Sequence, residues 1–226
     1  MIRSLLLASI AAATLMACAP ASANEVPHVV PAPVVDLPLA GSGAHPETAV
    51  FAGGCFWGME GVFEHVRGVL SVRSGYSGGH LASPTYEDVS SETTGHAEAV
   101  EITYDPHLIS YGQLLRVYFS VATDPTELNR QGPDSGTSYR GDIFAANPDQ
   151  ARIARAYIAQ LGAAHTYSAP IVTRVDALER FWPAEDYHQN FLNRNPNYPY
   201  IVFNDLPKLH NLQQLFPTLY TPTSAP

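Results

Sequence analysis

A cysteine lies where a short apolar run meets an amphipathic segment, which is a suitable position for a reactive thiol. The stretch around Cys55 reads FAGGCFWGME. Glycines before Cys55 permit a sharp turn and apolar residues recur at helical spacing after it, so a helix is predicted to begin there. The positive end of the helix dipole would stabilise a thiolate and lower the pKa of Cys55. Phe56 and Trp57 can surround the sulfur with aromatic surface, but an inert cysteine beside two core aromatic residues explains the stretch equally well.

Three other side chains could assist a nucleophilic thiol, which needs a proton donor or a partner for a developing negative oxygen. Glu98 lies in a segment of alternating apolar residues, where an inward-facing carboxyl would have a raised pKa and serve as a general acid. On this pattern alone, a glutamate on the wet face of a half-exposed strand is the commoner outcome. Tyr86 and Tyr139 are expected at loop-to-strand junctions, where a phenol can donate a hydrogen bond, although single tyrosines there are more often structural.

The chain has nine histidines, which raise two further possibilities. The candidate metal ligands are His96, His165, His188 and His210. They show no HxxxH spacing and no accompanying second cysteine, so no metal site is predicted. A Cys-His hydrolase or acyltransferase that uses Cys55 with His96 or His188 stays open, because such pairs meet in space and need no fixed spacing.

Composition narrows the class of protein. The chain has 226 residues, 46% of them hydrophobic, which is ordinary for a globular protein of one or two domains. A formal net charge of −9 argues against nucleic acid as a partner, since binding phosphates requires clustered Lys and Arg. Two cysteines cannot form a disulfide scaffold for a chain of this size, so its stability must come from packing.

The N-terminal part predicts export. Residues 1–23 combine a positive start, an apolar run too short to span a bilayer and an AxA cleavage site, as in a signal peptide. The sequence LMAC also resembles a bacterial lipobox, so we expect a periplasmic protein, attached to the membrane only if Cys18 is lipidated. Residues 24–46 are rich in Pro, Ala and Val without a period, which predicts a flexible tether before a folded domain over 47–226.

The pattern of apolar residues and turn signals predicts an α+β fold. The predicted elements are a strand ending at Ala52, a helix from Phe56, strands over 68–74 and 95–104, a helix capped by Ser110, a strand over 143–145, a helix from Asn147-Pro148 to Gly162, a strand over 171–175 and a short helix over 184–193. This order indicates a two-layer plait, in which helices pack on a mixed β-sheet and an irregular C-terminal tail follows Pro196.

Seven blocks of the chain are similar, in order, to those of the A-type peptide methionine sulfoxide reductases. They are GCFWG with Glu60, GYSGG from Gly75, PTY from Pro84, GHAEAV from Gly95, YDP from Tyr104, RQGPDSGTSYR from Arg130 and AEDYHQ from Ala184. The blocks span about 48–217, and the first is very specific to the family. The resemblance implies that residues 47–226 form the catalytic domain.

The resemblance also implies a nucleophile and its proton donors. Cys55 would attack the sulfur of the S epimer of methionine sulfoxide, free or in proteins, and would be left as a sulfenic acid after methionine forms. Glu98 would donate a proton to the sulfoxide oxygen. Tyr86 and Tyr139 would donate hydrogen bonds to the same oxygen.

Substrate-binding residues follow from the resemblance as well. Phe56 and Trp57 would hold the S-methyl group against an apolar wall, and Asp134 would lie near the substrate backbone and the reductant. The resemblance implies no metal or organic cofactor, and we expect a monomer that works in the repair of oxidised exported proteins.

Two features depart from the family pattern. The chain has Thr123-Asp124-Pro125 where many members have His-Asp-Pro, and no cysteine follows Cys55, whereas many members carry resolving cysteines near the C-terminus. A thioredoxin-like protein or a small thiol such as glutathione would then have to regenerate Cys55. A non-catalytic exported protein that binds methionine-rich partners in an aromatic pocket is the remaining alternative.

Overall fold

The computed structural model describes residues 27–225, so the predicted signal peptide and Cys18 lie outside the described range. In chain order the elements are β1 (Glu47–Ala52), α1 (Phe56–Glu64), β2 (Val69–Ser77), α2 (Tyr86–Ser90), β3 (Ala97–Tyr104), α3 (Tyr111–Val117), β4 (Arg130–Gln131), β5 (Asp134–Ser135), β6 (Asp142–Ala145), α4 (Pro148–Ala163), β7 (Arg174–Ala177), β8 (Phe181–Pro183), α5 (Phe191–Arg194) and α6 (Leu206–Leu215). Single helical turns cover Tyr118–Ala122, Thr137–Tyr139 and Ile201–Asp205. None of the helices in this range is long and apolar enough to cross a membrane.

Within the described residues, six strands form one mixed sheet in the order β7-β6-β1-β3-β2-β8. Neighbouring strands are antiparallel except for β6 and β7, which are parallel. The short strands β4 and β5 pair separately in a loop. Helix α1 packs on β2 and β3. The predicted mixed sheet with helices on it is confirmed.

Strand β1 is buried on both faces, which explains its nearly continuous apolar sequence. Phe51 points toward the helices, where its ring lies 5.7 Å from Phe63 and 5.4 Å from Tyr118. Val50 points to the other face and joins a smaller cluster with Phe144. The end of β1 and the start of α1 are therefore fixed by the core.

Two helices begin where the sequence predicts. Ser110 caps α3, since its side chain accepts a hydrogen bond from the backbone N–H of Gln113. Asn147 caps α4 in the same way, and Pro148 takes the first helical position. The helical path that begins with α3 continues through the turn Tyr118–Ala122.

Three stretches differ from the sequence prediction. Residues 184–193, predicted as a helix, form turns followed by the four-residue α5, because Gln189 bonds the backbone of Ser74 and of Ala184 instead of a helical neighbour. The tail after Pro196, predicted to be irregular, contains α6. The strand predicted over 171–175 begins later, at Arg174.

Residues 27–46 were predicted to form a flexible tether, and they contain no helix or strand. They nevertheless pack on the domain. Val30 is fully buried in the main core, and the backbone oxygens of Pro31 and Ala32 accept hydrogen bonds from side chains of α4. Asp36 accepts hydrogen bonds from the hydroxyl of Ser110 and the N–H of Gly112, at the start of α3. The segment is thus an extended strap, held by partners distant in sequence.

Candidate active site

Cys55 lies between β1 and α1, at the N-cap position of the helix. Gly54 has a φ of +94°, and a Cβ at this position would lie 2.6 Å from the side chain of Gln131. Glycine is therefore required both by the turn and by the packing. The hydroxyl of Thr123 bonds the Gln131 side chain. Thr123, which stands where many family members have histidine, therefore supports the turn that carries Cys55 through its contact with Gln131.

The pKa of the Cys55 thiol is raised well above its ordinary value, so the predicted lowering is wrong. Burial is the main cause, and the carboxyl groups of Glu98 and Asp205 add to it. A hydrogen bond from the backbone N–H of Trp57 acts in the opposite direction but is outweighed. In the free protein Cys55 is consequently a protonated thiol at neutral pH.

Glu98 lies on the buried side of β3 and is only 3% exposed. Burial raises its pKa to about 8, although the backbone N–H of Phe56 donates a hydrogen bond of 3.0 Å to its carboxyl Oε2. This hydrogen bond also fixes the carboxyl beside the first turn of α1. Near neutral pH the group is mostly a neutral acid and can donate a proton.

A cavity of about 230 Å³ brings together all seven side chains that were proposed from the sequence. Its lining consists of Cys55, Phe56, Trp57, Tyr86, Glu98, Asp134, Tyr139, Tyr198 and Tyr200. Tyr86 is the first residue of α2, and not part of a loop-to-strand junction as expected. Tyr139 ends the helical turn that precedes β6. The cavity therefore combines a thiol, carboxyl groups, phenols and an aromatic wall.

The aromatic wall is held rigidly. The Trp57 ring is stacked on Phe191, with 3.9 Å between the ring centroids, and its indole N–H donates a hydrogen bond of 3.1 Å to Nδ1 of His188. Burial lowers the pKa of His188, which keeps the imidazole neutral and able to accept this bond. His188 thus orients Trp57.

The C-terminal tail contributes residues that sequence reasoning missed. Tyr198 and Tyr200 line the cavity, and the Tyr200 hydroxyl donates a hydrogen bond to Asp134. Asp205 is 1% exposed and contacts Gly58 in the first turn of α1. The available signal lies in residues 199–208, whose sequence resembles the tail of family members without resolving cysteines.

The structure offers little support for a Cys-His pair. Both ring nitrogens of His96 contact the main chain, at the N–H of Gly79 and the carbonyl of Leu81. Nδ1 of His188 is occupied by Trp57. Neither histidine lines the cavity around Cys55. Over residues 27–225, no group of three or more His, Cys, Asp and Glu side chains is arranged to hold a metal ion.

Comparison with known proteins identifies the family. The family model for peptide methionine sulfoxide reductase matches residues 47–218. The chain belongs to this family. A curated peptide methionine sulfoxide reductase MsrA 2 of Mesorhizobium japonicum is 62% identical over 175 residues, which cover 77% of this chain and 90% of that protein. A second MsrA 2, from Synechocystis sp., is 51% identical over 189 residues, or 83% of this chain and 88% of that protein.

Solved structures of the family share the fold. Methionine sulfoxide reductase A of Corynebacterium diphtheriae matches with a TM-score of 0.59 and 33% identity, over 78% of this chain and 92% of that one. Reduced Mxr1 of Saccharomyces cerevisiae matches with a TM-score of 0.63 and 27% identity, over 70% of this chain and 91% of that one. The protein is therefore an oxidoreductase of the peptide methionine sulfoxide reductase family, A type.

Proposed function

We propose that this peptide methionine sulfoxide reductase reduces the S epimer of methionine sulfoxide, free or in proteins, with Cys55 as the nucleophile. The observation that carries the proposal is the cavity that places the Cys55 thiol together with the buried acid Glu98 and two phenols. A sulfoxide offers an apolar S-methyl group and a polar oxygen. The cavity has an aromatic wall for the first and proton donors for the second.

The S-methyl group binds against Phe56 and Trp57. Phe56 is almost fully buried and belongs to the core, while Trp57 is fixed by its stacking on Phe191 and its hydrogen bond to His188. Rigid rings hold a small apolar group at little cost in conformational entropy. This wall orients the sulfoxide sulfur toward Cys55.

Oxygen transfer from the sulfoxide to Cys55 consumes no net proton. The Cys55 thiol and the sulfoxide give methionine and a Cys55 sulfenic acid, so a proton given to the oxygen must be matched by the proton that the thiol loses. Glu98 performs both steps: its acid form protonates the sulfoxide oxygen, and the resulting carboxylate accepts the thiol proton. The raised pKa values of Cys55 and Glu98 keep both protons available until the substrate binds.

Tyr86 and Tyr139 donate hydrogen bonds to the same oxygen. Burial, together with the nearby carboxyl of Glu98, raises the pKa of both phenols. They therefore remain neutral O–H donors at any physiological pH. Such preorganised donors stabilise negative charge as it develops on the oxygen.

Regeneration of the thiol requires an external reductant. Cys55 is the free cysteine among residues 27–225, and the sequence contains no cysteine after it. A thioredoxin-like protein or a small thiol such as glutathione attacks the sulfenic acid, which releases water and forms a mixed disulfide with Cys55. A second thiol then displaces Cys55.

We further propose that the enzyme works outside the cytoplasm in the repair of oxidised exported proteins. The support for this step is the N-terminal sequence alone, with its positive start, short apolar run and AxA site. Mass determination of the mature N-terminus tests it, because a peptidase product begins at Asn24 and a lipoprotein begins at a modified Cys18.

The half-reaction without reductant tests the chemical proposal. We expect one methionine per protein from the S epimer, none from the R epimer, and an intact mass increased by one oxygen on Cys55. Cys55→Ser should abolish turnover, since serine is nearly isosteric but a far weaker nucleophile. Turnover of thioesters or amides through Cys55, or sulfoxide reduction by Cys55→Ser at about a tenth of the wild-type rate, would refute the proposed mechanism.

A further inference from the structure

Glu92 has a backbone conformation that a long side chain rarely adopts. It lies just after α2 with a φ of 60°, in the left-handed region. Residues other than glycine carry a steric cost there and persist where the surroundings hold them in place. A glycine would adopt this conformation without that cost. The side chain of Glu92 supplies such contacts.

The Glu92 carboxylate accepts three hydrogen bonds from the loop that leads to β6. Its Oε2 accepts from the Thr137 hydroxyl at 2.7 Å and from the backbone N–H of Ser138 at 3.0 Å. Its Oε1 accepts from the Ser138 hydroxyl. Gly136 makes room for this arrangement, because a Cβ at that position would clash with the carboxylate.

These contacts lie on the helical turn that carries Tyr139. The turn spans Thr137–Tyr139, and Ser138, at its centre, is only 2% exposed. Arg140 holds the same turn from the other end through a hydrogen bond of 3.0 Å to the carbonyl of Thr137. Fixing Ser138 therefore fixes the path of its neighbour Tyr139, whose side chain lines the cavity beside Cys55.

The Glu92 side chain is an ionised carboxylate. Partial burial opposes ionisation of Glu92, but the hydrogen bonds from Ser138 and Thr137 outweigh it and lower its pKa below the ordinary value. An ionised carboxylate is an acceptor at both oxygens, which matches three donors. A glutamine would present one acceptor and one donor group to the same three donors.

We propose that Glu92 is a positioning residue, which holds the Tyr139 hydroxyl in place for the sulfoxide oxygen through its hydrogen bonds to Ser138 and Thr137. The inference rests on the proposed function, in which Tyr139 stabilises that oxygen.

Glu92 does not line the cavity around Cys55. Its charge adds to the rise of the Glu98 pKa, after burial and Asp134, so rates are compared at about pH 6, where Glu98 is protonated with or without that charge. At that pH the effect of Glu92 on the rate passes through the Tyr139 hydroxyl.

A double-mutant cycle tests this dependence in single-turnover reactions at saturating S-sulfoxide. Glu92→Gln should slow methionine formation about tenfold, less than the roughly 100-fold that a 1 Å misplacement of a reacting group can cost. In a Tyr139→Phe background, Glu92→Gln should slow it further by less than about twofold, because the hydroxyl that it positions is already absent. The matched control is Glu87→Gln, which should behave as wild type, because Glu87 is an exposed residue of α2, the helix just before Glu92.

A purely structural role for Glu92 predicts a different pattern. The same loss of rate in both backgrounds, or no loss in the wild-type background, would overturn the inference while leaving the proposed function intact. A wild-type protein that reduces neither epimer would overturn the proposed function itself and this inference with it. Thermal unfolding of each variant, followed in parallel, confirms that the compared proteins are folded.

Discussion

Glu98→Gln is the substitution that most directly tests the proton-transfer step. The amide oxygen of glutamine can still accept the hydrogen bond from the backbone N–H of Phe56, which holds the native carboxyl at 3.0 Å. The side chain therefore keeps its position and its volume. What it loses is the acidic proton.

The expected loss follows from the environment of Glu98. Burial raises its pKa to about 8, so roughly nine-tenths of the molecules carry the proton at pH 7. Positioned general acids contribute roughly 10²–10⁴-fold to a rate, and Glu98→Gln should slow methionine formation on that order at neutral pH. Because the pKa is raised, the active acid form dominates below about pH 8 and is lost as the pH rises through that value. The wild-type rate should fall there, and the variant should show no such fall.

The assay measures the methionine formed from the S epimer in the first turnover, without reductant. The reaction is stopped at short times and repeated at several pH values between about 6 and 9. Single turnovers are needed because multiple turnovers also report regeneration of Cys55. Glu101→Gln is the matched control, since Glu101 lies on the same strand and pairs with Arg73 at the surface. A Glu98→Gln variant with the wild-type rate across this range would show that Glu98 is structural and would refute the proton-transfer scheme.

Three further predictions concern the framework around the site. Asp36→Ala, which removes the acceptor for two hydrogen bonds at the start of α3, should lower the free energy of unfolding by about 1–2 kcal/mol in urea titrations; an unchanged midpoint would mean that the strap is not held there. Gly58→Ala should reduce both stability and first-turnover rate, because its Cβ would clash with Asp205, whereas Gly162→Ala in α4 meets nothing within 4 Å and should raise the melting temperature slightly. Burial raises the pKa of Glu64 from 4.5 to about 8, so its contribution to stability is fully present below pH 4.5 and is lost as the pH rises toward about 8. Glu64→Gln should flatten the fall of melting temperature across this range, and parallel dependences of the melting temperature on pH for the two proteins would contradict this.

Local pattern was sufficient to predict the parts of the fold that depend on local interactions. Helix α4 has a cap, a proline at its first position and helical spacing of its apolar residues, all within the segment itself. The turns over 184–190 depend instead on Gln189, whose amide bonds the backbone of Ser74. The periodicity of the segment cannot reveal a partner so distant in sequence. The sequence therefore predicts a helix where the structure has turns.

Local sequence pattern also predicted only those features of the site that depend on neighbouring residues. The position of Cys55 at the start of α1 follows from the glycines and the apolar spacing around it. Its pKa does not, because the dominant influences are burial and the carboxyl groups of Glu98 and Asp205, which reach the thiol from other parts of the chain. The start of α1 still favours the thiolate through the backbone N–H of Trp57, but burial and the neighbouring carboxyl groups outweigh this effect.

The position of the C-terminal tail supports the proposal that an external thiol regenerates Cys55. Family members with resolving cysteines carry them near the C-terminus, but here that part of the chain supplies Tyr198 and Tyr200 as cavity wall. It is also anchored: Tyr200 bonds Asp134, Ile201 is fully buried, and the buried Lys208 ammonium donates to the carbonyl of Ala122 at 3.1 Å. These contacts hold the tail as part of the cavity wall. In the regeneration that we propose, the incoming thiol therefore enters from solvent, along the path by which methionine leaves.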